Sequence, residues 1–364
     1  MLPRDVISTG PLILRPPVEA DAAAIAEACG DAVTGRFLPW LPRPYAVEEA
    51  LAEVKRAAVR WEDGGAAYAI VRDGRYAGGV WASPPDHYET AGLGCLVAPW
   101  ARGGGVAATA VRAVTDWLFD HGVRRVEVQA EVENVPALRM AYRSGFVEEG
   151  RRRDAVRLRD GRWADVVTFA RLRGEGVAGA EPYLPFFPGG ELSDGVVRLA
   201  PMGPGDAGDF HRMMAEPSVS AFSVGPPTSL EDDERRCRYT GYWWRSGQRI
   251  ELAIRDAASD SFAGHLQLMQ VAPALGQAMI GYSLVPEFRG RGFMTRAVRL
   301  LVDWAFAATP LHRIVAGTDV TNTASHAVLE RAGFQREGLH RELLPRRDGT
   351  RADDVYWAVV RSGS

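Results

Sequence analysis

Two glycine-rich turns in this chain have residue types and spacing that bind phosphate groups. They read WARGGGVAATAV over 100–111 and FRGRGFMTRAV over 288–298, and each separates a strand-like run from a helix-like run. Glycines let successive backbone N–H groups converge on one point, and a helix N-terminus adds free N–H groups and the positive end of its dipole. Each turn therefore predicts a phosphate or pyrophosphate site, with a plain strand-to-helix connection as the structural alternative.

Two better-known phosphate motifs fit these turns less well. Gly103, Gly105 and Ala108 match the G-x-G-x-x-A pattern of dinucleotide-binding folds. That pattern opens an early βαβ unit, whereas these turns come about 90 residues into each half of the chain. The G-K-[ST] ending of nucleotide-triphosphate loops requires a lysine, and neither turn contains one. The context therefore favours another class of phosphate site.

The chain contains an internal duplication. Residues 146–173 and 334–361 align without gaps at an offset of 188, and twelve of their 28 positions are identical, against roughly two expected by chance. The identical residues of the first segment are Phe146, Glu149, Gly150, Arg153, Arg159, Asp160, Gly161, Ala164, Asp165, Val167, Ala170 and Arg173. Other pairs keep the same order at offsets of 185 to 188, namely Asp21 with Asp206, Arg102 with Arg289, and Asn134 with Asn322. A period this long indicates two copies of one domain, since solenoid repeats are about 20 to 50 residues long.

The duplication and the length of 364 residues predict two domains. We expect an N-terminal domain at 1–174, a linker at 175–192 and a C-terminal domain at 193–364. Glycine, proline and small residues interrupt any periodicity between the copies. The PYLPFFP stretch inside the linker is apolar, so packing between the domains is an alternative to a free linker.

Each half is expected to be an α+β domain, with helices packed on a mixed α/β sheet. In the first half, the patterns predict strands at 12–15, 67–72, 76–81, 92–98, 125–131, 146–156 and 163–172. They predict the main helices at 20–29, 47–61, 105–121 and 135–144. The last two strands have Arg-Asp-Gly between alternating runs, which is typical of a hairpin.

The order of these motifs resembles the GNAT superfamily of N-acetyltransferases. The shared features are V-x-P or L-V-P, then R-x-x-G-x-[AG], a helix, a strand, N-x-x-S and G-F. The branch that acetylates N-terminal residues of ribosomal proteins is the most similar, because its members often end in a [RK]-D-G-x-x-x-D hairpin. The resemblance covers both halves almost entirely. It implies two tandem GNAT acyl-CoA N-acyltransferase folds with acetyl-CoA as co-substrate, its pyrophosphate on the turn and its pantetheine along the preceding strand.

The resemblance also implies which residues contact the cofactor. In the first half they are Leu96, Val97, Arg102, Gly103, Gly104, Gly105, Val106, Ala107 and Asn134. In the second half they are Leu284, Val285, Arg289, Gly290, Arg291, Gly292, Phe293 and Met294. Met294 departs from the small residue of the strict motif, and its side chain is expected to point away from the phosphates.

Catalysis is expected in the second half, where Asn322 and Ser325 occupy the N-x-x-S positions. In the resembling family this asparagine orients groups near the thioester, and the serine can donate a proton to the leaving sulfur. Asp319 is the candidate for a substrate contact or for a base acting through water. The structural alternative is that Asn322 and Ser325 cap the following helix.

The first half keeps Asn134 but has Ala137 at the position of Ser325, and alanine cannot donate a proton. Glu131 aligns with Asp319, and Tyr142 could supply the missing hydroxyl, although helix packing explains it better. An active C-terminal domain beside an N-terminal domain that binds cofactor, structure or substrate is therefore expected. The alternative for the whole protein is a non-catalytic acyl-CoA-binding sensor or scaffold.

Composition excludes several other classes. A formal charge of −3 and a pI near 6.2 give no general attraction for nucleic acid or anionic membranes. Cys29, Cys95 and Cys237 suggest buried thiols rather than disulfides, and the seven histidines form no metal-binding spacing. The expectation is a cytoplasmic, metal-free transferase, a monomer with a pseudo-twofold domain pair or a homodimer, that acts on a peptide or small-molecule amine.

Overall fold

The protein is described by a computed structural model that covers residues 2–176, 183–346 and 349–362. It divides into Met1–Glu181 and Pro182–Ser364, here called unit 1 and unit 2. Each unit contains one eight-stranded sheet with helices packed against it, which confirms the α+β class. The division falls inside the expected linker at 175–192, of which 177–182 lie outside the described residues.

Unit 1 begins with a short hairpin and ends with a long one. Its strands are β1 (Ile7–Thr9), β2 (Leu12–Arg15), β3 (Ala66–Arg72), β4 (Arg75–Ala82), β5 (Thr90–Val97), β6 (Arg125–Glu131), β7 (Val147–Arg157) and β8 (Trp163–Leu172). Its helices are α1 (Ala22–Gly30), α2 (Ala32–Phe37), α3 (Val47–Glu62), α4 (Val106–Asp120) and α5 (Val135–Arg143). The predicted elements are all present within two residues at each end, whereas β1 and α2 were not predicted.

Unit 2 repeats this order. Its strands are β9 (Leu192–Ser193), β10 (Val197–Pro201), β11 (Ile250–Asp256), β12 (Phe262–Ala272), β13 (Gln277–Leu284), β14 (Arg313–Asp319), β15 (Gln335–Pro345) and β16 (Arg351–Val360). Its helices are α6 (Ala207–Ala215), α7 (Pro217–Ser220), α8 (Leu230–Arg245), α9 (Phe293–Ala308) and α10 (Thr323–Arg331). Even the local irregularities recur, since Asp154 and Glu342 both have positive φ, at 46° and 52°.

The two sheets have equivalent strand orders, β1-β2-β3-β4-β5-β6-β8-β7 and β9-β10-β11-β12-β13-β14-β16-β15. One pair in each sheet is parallel, and it is short. In unit 2, Gln277–Met279 of β13 pair with Arg313–Val315 of β14, and within the described residues this ladder stops there. The strands continue to Leu284 and Asp319, so a gap opens between them on the side of the glycine turn.

Both faces of the sheet in unit 2 are covered. Leu252 and Ile254 of β11 pack in the core cluster that includes α9, while Ala253 between them packs with Phe210 of α6. This alternation is the period-two pattern of a strand buried on both faces. The face toward α9 is called the core face below, and the face toward α6 and α8 is called the opposite face.

Residues 183–192 of the expected linker belong to unit 2. Leu184 and Phe187 are buried in its main core, and the indole of Trp244 donates a hydrogen bond of 3.1 Å to the Leu184 carbonyl. Burial of these apolar side chains explains why the PYLPFFP stretch does not need to be solvated. Leu184 and Phe187 of this stretch pack inside unit 2. The sequence had suggested packing between the domains as an alternative to a free linker.

Cys29 and Cys237 are buried, as expected, whereas Cys95 is only partly buried. Burial raises the pKa of Cys29 to about 11 and that of Cys237 to about 12. Both thiols are therefore protonated near neutral pH, which makes them weak nucleophiles.

Candidate active site

The glycine turn of unit 2 has the backbone that anion binding requires. Gly290 and Gly292 adopt φ values of +71° and +78°, a region that L-residues with side chains rarely occupy. Gly292 is the N-cap of α9, and its carbonyl accepts a helical hydrogen bond from the Arg296 N–H. The first N–H groups of α9 therefore stay available at the turn, together with the positive end of the helix dipole.

A cavity of about 1040 Å³ lies beside this turn. Its lining comes from the end of β13, the turn, α9 and α10, together with Asp194, Ser218, Val219 and Phe222. The lining includes eight of the eleven residues predicted for unit 2, namely Leu284, Arg289, Gly290, Gly292, Phe293, Met294, Asn322 and Ser325. This volume is at the upper end of the range for ligand sites in proteins. The end of β13, the turn, α9 and α10 thus form one concave surface.

The other predicted residues of the turn lie close to this cavity. The Val285 N–H donates a hydrogen bond to the Ala263 carbonyl at 2.9 Å, which fixes the end of β13. The Arg291 guanidinium is half exposed and lies 5.0 Å from the Phe293 ring centre. Met294 belongs to the core cluster of unit 2 and also contributes to the cavity lining.

Two hydroxyl groups meet inside the cavity. The Tyr282 Oη on β13 lies 2.7 Å from the Ser325 Oγ in the first turn of α10. Burial raises the pKa of Tyr282 to about 12, against a smaller opposing effect of Ser325. Both groups therefore hold their protons near neutral pH, and either can donate to a group bound in the gap.

Asn322 positions Ser325 by capping α10. Its side-chain Oδ1 accepts a hydrogen bond of 3.1 Å from the Ser325 N–H, which satisfies one of the free donors of the helix. The capping explanation therefore holds for Asn322. The Ser325 hydroxyl is not used for capping and is directed to Tyr282 instead.

Asp319 lies at the end of β14, where its carboxylate is already engaged. Its Oδ1 accepts hydrogen bonds from the Thr321 N–H at 2.8 Å and the Thr321 hydroxyl at 2.6 Å, and Oδ2 accepts from Arg346 at 2.9 Å. Burial alone would raise the pKa of Asp319, but these partners hold it below its usual range. A carboxylate with so low a pKa is a weak base.

Unit 1 has the same turn with different surroundings. Gly103 and Gly105 have φ values of +83° and +75°, close to those in unit 2. Arg102, however, contacts α2 through the Asp31 carboxylate at 2.5 Å and the Thr34 hydroxyl at 2.9 Å. The Arg102 guanidinium is thus already paired with a carboxylate, which would compete with an incoming phosphate.

The remaining predicted residues of unit 1 surround that turn. Leu96 and Val97 are half-buried at the end of β5, Gly104 is exposed, Val106 is buried, and Ala107 is half-buried on α4. Hydrogen bonding makes Ala98 the counterpart of Val285, because their N–H groups donate to equivalent carbonyls, Ala77 and Ala263. The structural correspondence between β5 and β13 is therefore shifted by one residue from the sequence alignment, which had matched Val97 with Val285.

Unit 1 has neither of the two hydroxyl groups. Asn134 caps α5 through the Ala137 N–H at 3.2 Å, but alanine leaves no counterpart of the Ser325 hydroxyl. Cys95 stands at the Tyr282 position, because both lie two residues before the last residue of their strands. The Tyr142 hydroxyl donates to Glu148, and its ring packs edge-on against Phe169, 5.1 Å away. Tyr142 is thus a packing residue.

The aligned acidic residue of unit 1 is also engaged. Arg36 of α2 contacts Glu131 at 3.1 Å and Glu133 at 2.5 Å. Burial raises the pKa of Glu131 above its ordinary value, against the attraction of Arg36. Asp31, Thr34 and Arg36 together connect α2 to both sides of the gap in unit 1.

Comparison with known families and proteins agrees with this geometry. The profile described as "Acetyltransferase (GNAT) domain" matches residues 11–147 and 197–335, about three quarters of the chain. The chain belongs to the GNAT acetyltransferase family. The match occurs once in each unit, so this GNAT chain is a tandem acetyltransferase with two copies of the fold.

Several named acetyltransferases are similar to part of this GNAT chain. Probable N-acetyltransferase YjcK of Bacillus subtilis is 42% identical over 111 residues, which are 30% of this chain and 61% of that protein. Putative ribosomal N-acetyltransferase YdaF of the same organism is 36% identical over 28% of this chain and 55% of that protein. The matches thus span little more than half the length of these two relatives.

Solved structures of other acetyltransferases also align with one unit's length of this GNAT chain. Mycobacterium smegmatis RimJ in complex with CoA-disulfide is 28% identical, covers 47% of this chain and 86% of that one, and has a TM-score of 0.43. Across the described residues, the helices of this protein are too short or too polar to cross a membrane.

Proposed function

We propose that unit 2 transfers an acetyl group from acetyl-CoA to a primary amine by direct attack on the thioester. The observation that carries this proposal is the Tyr282–Ser325 hydroxyl pair, which lies in the cavity lined by the end of β13, the glycine turn and α10. The turn provides N–H groups and Arg289 for the pyrophosphate, and the edge of β13 that faces β14 beyond Met279 provides backbone groups for the pantetheine.

The proposed chemistry requires a proton donor for the leaving sulfur. As the amine nitrogen bonds to the carbonyl carbon, the C–S bond breaks and the sulfur leaves with its electron pair. The hydroxyl pair supplies that proton, and the nitrogen loses one proton to solvent as the amide forms, from which the hydroxyl pair is reprotonated. Placing amine and thioester together accounts for much of the remaining rate enhancement. The protein itself forms no covalent intermediate in this scheme.

Asn322, Ser325 and Asp319 take different roles in this proposal. Ser325 acts with Tyr282 on the leaving group, and Asn322 positions Ser325 through the helix cap. The hydrogen bonds of Asp319 to Thr321 and Arg346 support a positioning role for the turn before α10. Its assignment as a base through water stays a prediction.

The acceptor class is proposed from chemistry and from the names of the relatives. A peptide or protein N-terminus agrees with the similarity to a putative ribosomal N-acetyltransferase. A small-molecule amine agrees with Spermidine N(1)-acetyltransferase of Escherichia coli, 28% identical over 76 residues and 41% of its length. Both acceptors present a primary amine, which the proposed reaction needs.

A non-catalytic acyl-CoA-binding role is the second candidate, and unit 1 supports it. That unit keeps the glycine turn but has Ala137 and Cys95 where unit 2 has the two hydroxyls. We propose that unit 1 contributes binding or structure, and that catalysis belongs to unit 2.

The test is thiol release from acetyl-CoA by the full chain, with a panel of peptide and small-molecule amines. Ser325→Ala is expected to lower kcat by about 10²-fold, because general acid assistance is typically of that size. Thr323→Ala, which removes an exposed hydroxyl from the same helical turn, is the matched control. Binding of acetyl-CoA without turnover on any amine would instead favour the sensor function.

A further inference from the structure

A histidine and a buried aspartate form a pair on the opposite face of the sheet in unit 2. His340 of β15 and Asp354 of β16 are directly opposed in the strand register, and Nδ1 lies 3.0 Å from the Asp354 Oδ2. Val355 and Trp357 face the core, so Asp354, which directly precedes Val355, faces the other way. Only 3% of the Asp354 side chain is exposed, against 49% for His340.

The hydrogen bond fixes which nitrogen of His340 can accept a proton. An ionised carboxylate only accepts hydrogen bonds, so Nδ1 must carry the hydrogen that is donated to Asp354. The lone pair of the neutral ring is then on Nε2. A buried carboxylate that orients a half-exposed imidazole in this way is the arrangement of a general base.

The second oxygen of Asp354 lies against Gly317 of β14. Oδ1 is buried and has no hydrogen-bond donor among the described residues. It lies 2.6 Å from the position that a Cβ would take on Gly317. Gly317 is exposed and comes two residues after Val315, the last residue of β14 that pairs with β13. An unsatisfied carboxylate oxygen therefore lies against the part of β14 that is no longer paired with β13, and a larger residue at position 317 would collide with it.

Unit 1 has none of these features at the equivalent positions. The counterparts of His340, Asp354 and Gly317, each 188 residues earlier, are Arg152, Val166 and Gln129. Arg152 and Val166 are also opposed in the register of β7 and β8. The pair is thus confined to the unit that contains both Tyr282 and Ser325. Residues 317, 340 and 354 thus differ between the two copies in the same direction as Tyr282 and Ser325 do.

We propose that the acceptor amine enters on the opposite face of unit 2, and that His340, oriented by Asp354, removes its proton. This inference rests on the proposed function. The ammonium donates a hydrogen bond to the Asp354 Oδ1 and loses one proton to Nε2 of His340, which passes it to solvent. The free electron pair then forms the C–N bond as the C–S bond breaks. The leaving sulfur takes a proton from the hydroxyl pair, and the second nitrogen proton passes to solvent, which restores that hydroxyl.

The experiment measures thiol release by the full chain with His340→Ala and Asp354→Asn. Each is expected to lower kcat by about 10²-fold or more for an alkyl amine, whose pKa is about 10.4. The loss should be small for an aromatic amine, which is already neutral at pH 7. Added imidazole should partly restore His340→Ala. The dissociation constant of acetyl-CoA, measured by calorimetry, should stay unchanged in both variants, which shows that unit 2 remains folded.

A second histidine–aspartate pair in the same unit provides the matched control. His211 lies 2.7 Å from Asp233, which is also buried, but Thr228 donates to the other carboxylate oxygen at 2.8 Å. His211→Gln is expected to keep wild-type kcat. An equal loss with alkyl and aromatic amines, no rescue by imidazole, or wild-type kcat in both test variants would overturn the assignment of His340 and leave the proposed function intact. A wild-type chain that turns over no amine would overturn both.

Discussion

The Tyr282 hydroxyl lies 2.7 Å from the Ser325 hydroxyl, although the two residues are 43 positions apart in the sequence. One comes from the splayed end of β13 and the other from the first turn of α10. Only the fold brings them together. In the proposed function the two paired hydroxyls act as one proton donor rather than as two independent donors.

Tyr282→Phe is therefore expected to lower kcat by about 10²-fold while the KM for acetyl-CoA changes little, since only the transition state gains from the donated proton. The double variant with Ser325→Ala should lose little more than the worse single variant, because residues that act together are not additive. Tyr183→Phe is the control, because its buried hydroxyl has no partner among the described residues. If the fold-losses in kcat of the two single variants multiplied in the double variant, the two hydroxyls would act independently, against this prediction.

The residues that the sequence predicted are those whose signal is local. Glycines at fixed offsets indicated the turns, and Asn322 indicated a helix start, because both follow from backbone requirements of neighbouring residues. Tyr282 gave no such signal, because an aromatic residue in a strand is ordinarily a packing residue. Comparing the two copies position by position was the signal that could have found it, since Cys95 replaces it. Asp354 and His340 likewise meet only through strand register.

The turn of unit 2 gives a prediction about backbone strain. Gly292 has φ +78° and no atom within 4 Å of the position that a Cβ would take, so Gly292→Ala adds strain without a collision. The left-handed conformation costs an L-residue about 1–2 kcal/mol, and relaxation would turn the N–H groups away from the pyrophosphate. Acetyl-CoA binding should weaken about tenfold by calorimetry. Gly333→Ala, with φ +89° and equally open space, should lose similar stability and keep its affinity.

Unit 1 gives a prediction about cofactor stoichiometry. The Asp31 carboxylate accepts a hydrogen bond from the Arg102 guanidinium. It also caps α2 by accepting a hydrogen bond of 2.8 Å from the Thr34 N–H. Asp31→Asn keeps an oxygen for the cap and removes the charge that competes with phosphate. Calorimetry should show tighter acetyl-CoA binding at a second site, by about three- to tenfold for an exposed ion pair of this kind. An unchanged titration would show that Asp31 does not limit binding in unit 1.

A buried charge cluster in unit 2 gives a prediction about pH. The Glu251 carboxylate contacts Arg236 at 2.9 Å and Arg249 at 3.2 Å, and His265 at 2.5 Å. Burial alone would raise the pKa of Glu251, but His265, Arg236 and Arg249 lower it to about 2. Burial lowers the pKa of His265 against the opposing attraction of Glu251. Both groups therefore bind protons more readily in the unfolded chain than in the folded one.

The sign of the effect follows from those two directions. A group with a lowered folded pKa stabilises the fold above its unfolded pKa and loses that contribution as pH falls. The free energy of unfolding should therefore fall first below about pH 6.5, as His265 becomes protonated in the unfolded chain, and more steeply between about pH 4.5 and 2 through Glu251.

Glu251→Gln should lower the free energy of unfolding by about 3 kcal/mol at pH 7, because it leaves two arginines without their partner. It should also make the free energy of unfolding depend less on pH below about 4.5. Urea unfolding of the full chain, followed by tryptophan fluorescence, measures both, with exposed Glu231→Gln as the control. A variant with the wild-type slope below pH 4.5 would show that Glu251 does not control the acid stability of unit 2.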